Sequence, residues 1–211
     1  MRTRIVIADD HAVVRKGLRQ FIVEADDMTI VAEAATGDEL LTVVRSSPAD
    51  VVILDLSLGI RSGLDLLGHL KSELPRLAVI ILSMHPEELF AVRALRAGAS
   101  GYVEKSSTPE ELLAAIRRVA RGGTYVSARI GERLAADVVR GGSPKLPHER
   151  LSDRELEVLR LLGSGMSVTS IAPVLNLSVK TVSTYRTRVL AKTGFRSNSE
   201  IVKYVIAHGL S

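Results

Sequence analysis

Five short, largely apolar runs rich in Val, Ile or Leu, each followed by a longer amphipathic stretch, restrict the fold of this chain more than any other feature. The runs are Arg4–Ala8, Thr29–Ala34, Val51–Leu54, Ala78–Leu82 and Gly101–Val103. A strand that is apolar at successive positions has no side to show to water, so it belongs in a parallel sheet covered on both faces. The stretches Ala12–Glu24, Asp38–Ser46, Gly63–Leu74, Pro86–Ala97 and Pro109–Arg121 carry helical spacing. In the first of them Val13, Leu18, Phe21 and Ile22 form one stripe. Repeated strand–helix units with right-handed crossovers predict a doubly wound α/β fold with a five-stranded parallel sheet over residues 1–122.

Composition narrows the function. Of the 211 residues, 46% are hydrophobic and 25% charged, which allows a packed core and room for two small domains. The absence of cysteine excludes a disulfide framework, a thiolate nucleophile and a zinc–thiolate site. Apolar stretches such as Val51–Leu54 fall far short of the roughly 20 residues a membrane helix needs. The N-terminal strand pattern meets Asp9 too soon for a signal peptide. A soluble cytoplasmic protein in a reducing compartment is expected.

Charge is uneven along the chain. Residues 1–122 hold 15 Lys/Arg and 17 Asp/Glu, whereas residues 148–211 hold 9 and 5. A basic C-terminal part suits a polyanionic partner. Between them, residues 123–147 read as a linker with a helix at Ala128–Arg140, where Ile130, Leu134 and Val138 recur at every fourth position. Gly122-Gly123 stops the helix before it, and Gly141-Gly142-Ser143-Pro144-Lys145-Leu146-Pro147 resists regular structure.

After the linker the pattern is wholly helical. Ser152-Asp153-Arg154-Glu155 carries a capping box and opens a helix ended by Gly163-Ser164-Gly165. Further helices follow at Val168–Leu175, at Val179–Lys192 and from Ser197 to about His208. Short helices with tight turns predict a second, smaller all-α domain of helix-turn-helix type over residues 148–211.

In an open parallel sheet, active groups collect at the carboxyl ends of the strands. Asp9 and Asp10 follow the first strand, Asp55 and Ser83 the third and fourth, and Lys105 the fifth. Each alone has a plainer role: a strand-end Asp caps a turn, a lone lysine is solvated, and a Tyr102 ring packs in the core. Together they describe a crevice of carboxylates that repel one another unless a cation is present. An all-oxygen set of this kind suits Mg2+. A lysine and a hydroxyl beside it suit a phosphoryl group, and a carboxylate can itself accept one as an acyl phosphate.

Ile5-Val6-Ile7-Ala8-Asp9-Asp10-His11, Ile53-Leu54-Asp55-Leu56-Ser57, Ile81-Leu82-Ser83 and Gly101-Tyr102-Val103-Glu104-Lys105-Ser106 resemble the signature blocks of response-regulator receiver domains. The resemblance spans residues 4–122. It implies that Asp55 is the phosphoacceptor, served by the phosphohistidine of a sensor histidine kinase. It also implies that Asp10, Asp55 and the backbone carbonyl of Ser57 ligate Mg2+, with Asp9 acting partly through water. Lys105 and Ser83 would hold the phosphoryl oxygens, and Tyr102 would swing inward as a switch. The chain departs from the pattern at Leu58-Gly59, where many receivers have Met-Pro, and at Ser106, where many have Pro. Gly59 is expected to loosen the loop beside Asp55.

Leu151 to Leu159, Thr181-Val182-Ser183-Thr184-Tyr185 and Lys192-Thr193-Gly194-Phe195 resemble the LuxR-type helix-turn-helix. The whole chain thus resembles a NarL/FixJ-type response regulator, with a recognition helix closest to the BvgA-like branch. Val182, Val189 and Tyr185 are expected to face the module's core. Lys180, Ser183, Thr184 and Thr187 lie opposite, where hydroxyls would reach base edges of double-stranded DNA. Arg186, Arg188 and Lys192 are expected to contact phosphates. Val168 and Ser170 stand where the family often has Asn and Glu, and Pro173 is expected to bend or shorten its helix.

These readings predict a phosphorylation-controlled transcription regulator, not an enzyme with a substrate of its own, that forms a homodimer on activation. Two alternatives remain at this point: a regulator that binds DNA without phosphorylation, and a haloacid-dehalogenase-like phosphatase. The latter needs a second acid two residues after its nucleophile, and that position is Ser57.

Overall fold

The computed structural model describes residues 2–58, 63–139 and 146–210. Gly59, Arg140 and residues 141–145 of the expected linker lie outside the described residues. The chain divides into two compact units, residues 1–139 and 140–211.

The first unit alternates strand and helix as β1 (Thr3–Ala8), α1 (Ala12–Val23), β2 (Met28–Ala34), α2 (Gly37–Ser46), β3 (Val51–Asp55), α3 (Gly63–Glu73), β4 (Ala78–Ser83), α4 (Glu87–Arg96), β5 (Gly101–Glu104) and α5 (Pro109–Ala120). All pairings are parallel, in the order β2-β1-β3-β4-β5. On one face Ile5, Ile7, Ile53, Ile80 and Leu82 pack with Leu18 and Ile22 of α1 and with Leu112, Ile116 and Val119 of α5. The alternate residues Val6, Val52, Leu54 and Ile81 are as deeply buried, so the opposite face is covered too. Burial on both faces is the physical reason for the continuous apolar runs.

Strands β3, β4 and β5 each run one residue beyond the sequence expectation, because the ladder continues where the apolar run stops. Asp55 pairs in register with Leu82, and Ser83 with Glu104. The chain moves from β1 outward to β2 and then back across to β3, so the order reverses between β1 and β3. That switch point is where an open α/β sheet leaves a crevice at its strand ends.

Gly122, at φ +81°, takes the left-handed conformation that ends α5. The chain then doubles back along β5. Tyr125 makes a parallel bridge with Gly101, donating to the Ser100 carbonyl at 2.9 Å and accepting from the Tyr102 amide at 3.2 Å. A sixth helix, α6 (Ala128–Val139), follows. The Ser127 hydroxyl before it donates to Glu87 of α4, and Arg129 pairs with Glu88. Ile130 is fully buried and Leu134 half-buried; the side chains of residues 136–139 lie outside the described residues. The helix expected in the connecting segment therefore groups with the first unit.

The second unit holds a short 3-10 turn (Pro147–Arg150), α7 (Asp153–Gly163), α8 (Val168–Val174), α9 (Val179–Thr193) and α10 (Asn198–Ala207). Ser152 and Glu155 form the expected capping box on α7. Val158, Leu159, Ile171, Val182, Val189, Ile201 and Val205 are buried in its core. A Cβ on Gly163 would come within 2.5 Å of Val205, so a glycine there is what lets α7 and α10 approach. Pro173 sits in the last turn of α8, which is seven residues long and stops one residue later. No helix among the described residues is long and apolar enough to cross a membrane.

Candidate functional site

The strand ends at the switch point bring the polar residues of the first unit together. Asp9 and Asp55 are 1% and 2% exposed, Ser83 is fully buried, and Asp10 stands at the rim. Lys105, the residue after β5, reaches into the crevice with its Nζ 2.7 Å from Asp9 Oδ2 and 3.1 Å from Asp55 Oδ2. Its own amide donates to the Ser83 carbonyl at 2.7 Å, so the β4–β5 ladder continues as far as the lysine and sets its height.

The two buried carboxylates are each fixed by local backbone. The Ser57 amide donates to Asp55 Oδ1 at 3.2 Å and the His11 amide to Asp9 Oδ1 at 2.7 Å. Both are turns in which an Asp side chain accepts from the amide two residues on. Ser57 thus enters the crevice through its amide. The Ser83 hydroxyl accepts from the His85 amide at 3.1 Å, and Tyr102 donates its hydroxyl to the His85 carbonyl at 2.8 Å. The Tyr102 ring lies in the inward, buried position in this structure, at 2% exposure. The β4–α4 loop supplies the hydrogen-bond acceptor that a buried phenol requires.

Burial pushes the Asp55 carboxyl above its ordinary value and the Asp9 charge adds to this, opposed by the Lys105 ammonium and the Ser57 amide. For Lys105, burial alone would lower the pKa. Asp55 and Asp9 outweigh it and hold the ammonium above its ordinary range. Lys105 is therefore a resident cation, set against three carboxylates.

One ligand atom each from Asp9, Asp10, His11 and Asp55 lies within 4.8 Å of the others. Besides the lysine, the buried Oδ2 atoms of Asp9 and Asp55 accept no hydrogen bond from a described residue. Three carboxylates and one ammonium leave an excess of negative charge that a hard divalent cation would balance, so the donor set fits Mg2+. His11 was missing from the expected set. Its Nδ1 is 2.7 Å from Asp10 Oδ1 and 3.3 Å from Asp9 Oδ1. Its place directly after two crevice aspartates was the signal available in the sequence.

In the second unit, α9 presents one polar side. Lys180, Ser183, Thr184, Thr187 and Arg188 are exposed and fall on one side at 3.6 residues per turn. Val182 and Val189 are fully buried opposite, and Tyr185 is half-buried. Two of the residues expected to contact phosphates also have partners within the domain. Arg186 donates from Nε to Asn198 Oδ1 at 2.8 Å, and Lys192 Nζ lies 2.6 Å from Glu155 Oε2. Glu155 also accepts from the Ser152 amide at 2.7 Å. Burial would raise its pKa, but Lys192 and Ser152 outweigh that and hold it below its ordinary value.

Comparison with known proteins agrees with both units. Residues 5–117 match the response regulator receiver domain family, and residues 149–205 match the luxR family of bacterial regulatory proteins. The chain is 38% identical over 209 residues to the oxygen regulatory protein NreC of Staphylococcus aureus, covering 96% of each. It is 31% identical over 206 residues to the response regulator UvrY of Escherichia coli, covering 98% of this chain and 94% of that one. Among solved structures, RcsB of Salmonella enterica serovar Typhimurium, bound to promoter rprA with the phosphomimetic BeF3-, is similar. That match has 28% identity and a TM-score of 0.62, covering 97% of this chain and 98% of the other. Another solved structure holds two RcsB dimers bound to two parallel DNAs; it matches with 28% identity and a TM-score of 0.59, covering 97% of this chain and 98% of the other.

Proposed function

This chain belongs to the response regulators that join a receiver domain to a LuxR-family DNA-binding domain, and from that premise we propose that a phosphoryl group on Asp55 controls its dimerisation and DNA binding. The observation that carries the reading is the Lys105 ammonium bridging two buried carboxylates at the switch point. It is a charge arrangement suited to receiving an anion on one of those carboxylates.

In the proposed reaction the Asp55 carboxylate attacks the phosphorus of a sensor kinase's phosphohistidine. The P–N bond breaks, its electron pair returns to the departing imidazole, and an acyl phosphate forms. Asp9, Asp10, Asp55 and the Ser57 carbonyl would hold Mg2+, which when bound supplies the positive charge that lets phosphoryl oxygens approach carboxylates. Lys105 holds those oxygens. The Ser83 hydroxyl accepts from the His85 amide and, with no partner for its own proton among the described residues, can donate it to them. A modification of about −2 charge draws both donors toward Asp55. The loop between β4 and α4 follows through Ser83, His85 and Tyr102.

That repacking favours a homodimer, whose two helix-turn-helix modules span DNA half-sites about one turn apart. RcsB dimers on DNA support this by similarity. The partners are then a sensor histidine kinase, double-stranded DNA and a second copy of the chain, all meeting in the cytoplasm. The receiver is residues 1–122, extended by the connecting helix, and the DNA-binding domain residues 148–211.

The test is DNA affinity of the full chain with and without Mg2+ and acetyl phosphate, beside Asp55→Asn. Tighter binding with the donor, absent in the variant, is expected. Equal affinity in every condition would leave a DNA-binding protein without the phosphoryl control.

A further inference from the structure

The polar side of α9 was expected to read bases through hydroxyl groups, but two of those hydroxyls are occupied. Thr184 Oγ1 donates to the Lys180 carbonyl at 3.0 Å, and Thr187 Oγ1 donates to the Ser183 carbonyl at 3.1 Å. Thr193, farther along the helix, does the same to Val189 at 2.7 Å. A hydroxyl bonded back to the carbonyl four residues earlier has no proton left for a ligand. Both Thr184 and Thr187 nevertheless stay exposed, so what each offers outward is its methyl group and an oxygen able only to accept.

We propose, building on the DNA-binding reading above, that Thr184 and Thr187 are specificity-determining residues that read thymine through their methyl groups. In the major groove only thymine carries a C5-methyl group, and a threonine methyl is a suitable partner for it. The two residues are three apart, so their methyls lie nearly above one another along the helix and address neighbouring base pairs. Lys180 and Arg188 flank them on the same exposed side and supply cations for phosphates or guanine edges. Ser183 has no recorded bond among the described residues through its hydroxyl, and is the member of the row with a proton free to donate. The helix therefore presents two apolar contacts and one hydroxyl donor between flanking cations, an arrangement favouring half-sites that contain thymine.

The conservative substitutions separate the two chemistries. Thr→Val keeps the methyl and removes the oxygen, whereas Thr→Ser keeps the oxygen and removes the methyl. Both positions are exposed on a helix, and Thr, Val and Ser differ little in helix propensity, so all variants fold. The probe is a randomised duplex library, bound to the full chain with Mg2+ and acetyl phosphate. The preferred duplex is then remade with deoxyuridine at each enriched thymine in turn.

Enriched thymines, and a loss of about fourfold on replacing a contacted one with deoxyuridine, are expected; that factor corresponds to one buried methyl. Thr184→Val and Thr187→Val should bind within about twofold of the unaltered chain. Thr184→Ser or Thr187→Ser should lose about fourfold on thymine DNA and nothing further when its partner base is already deoxyuridine. Indifference to deoxyuridine, or Val variants weaker than Ser variants, would overturn the methyl readout while DNA binding itself stands. Failure to retain any duplex, with or without acetyl phosphate, would remove the DNA-binding reading and this inference with it.

Discussion

At the scale of single residues, the acidic crevice was legible because its members sit beside the strand signals. Each of Asp9, Asp55, Ser83 and Lys105 ends or follows an apolar run, and a run in a parallel sheet delivers its last residue to the crevice. Arg186 and Lys192 were not legible. Their partners Asn198 and Glu155 lie 12 and 37 positions away, and periodicity along one helix carries no trace of either. Lys192 binds Glu155 inside its own domain, whereas Arg188 is exposed beside the recognition row. Arg188→Ala should lower the salt slope of DNA binding by about 1, while Lys192→Ala should leave the slope nearly unchanged.

Lys192→Ala should instead cost about 1 kcal/mol in urea unfolding, a figure discounted for the lysine's 44% exposure. The sign with pH follows from Glu155, whose folded pKa is depressed. Its stabilisation is present above the ordinary carboxylate pKa and is lost as pH falls through the lower folded value. The gap between the unaltered chain and Lys192→Ala should therefore narrow on acidification. A gap constant down to pH 2 would show that the pair does not stabilise this domain.

Elements were legible in kind and nearly in extent, since a buried sheet and amphipathic helices impose different periods. What periodicity could not supply was allegiance. The stripe Ile130–Leu134 announces a helix, yet the surface that receives it is on α4, more than thirty residues earlier. Charged and polar partners, Glu87 with Ser127 and Glu88 with Arg129, mark that surface. A fragment ending at residue 122 would leave the outer edge of β5 without Tyr125 and expose the place filled by Ile130. Burying a side chain of that size is worth roughly 1.5–3 kcal/mol. The fragment of residues 1–139 should accordingly be more stable in urea than that of residues 1–122 by at least that amount. Equal midpoints and slopes would mean that α6 rests on the unit without stabilising it.

At the scale of the whole molecule, charge asymmetry and the sequence resemblance pointed to the same division of labour: an acidic first part that accepts a signal and a basic second part that meets a polyanion. The sequence carries no comparable signal for assembly, because a dimer face that forms only after modification has no reason to be apolar beforehand. Light scattering answers this directly. The mass of the full chain should about double with Mg2+ and acetyl phosphate, and stay constant for Asp55→Asn. Doubling in the variant as well would separate dimerisation from the phosphoryl group.

The bridge at Tyr125 gives that division a mechanical side. The polypeptide does not leave the first unit at the end of its last sheet-covering helix; it is moored to β5 by two backbone bonds, one of them to the amide of Tyr102. The same tyrosine grips the loop above the crevice with its hydroxyl. One residue thus holds both the β4–α4 loop and the segment that follows α5. Any displacement of that rung would carry with it the segment that leads into α6, which rests on the same unit.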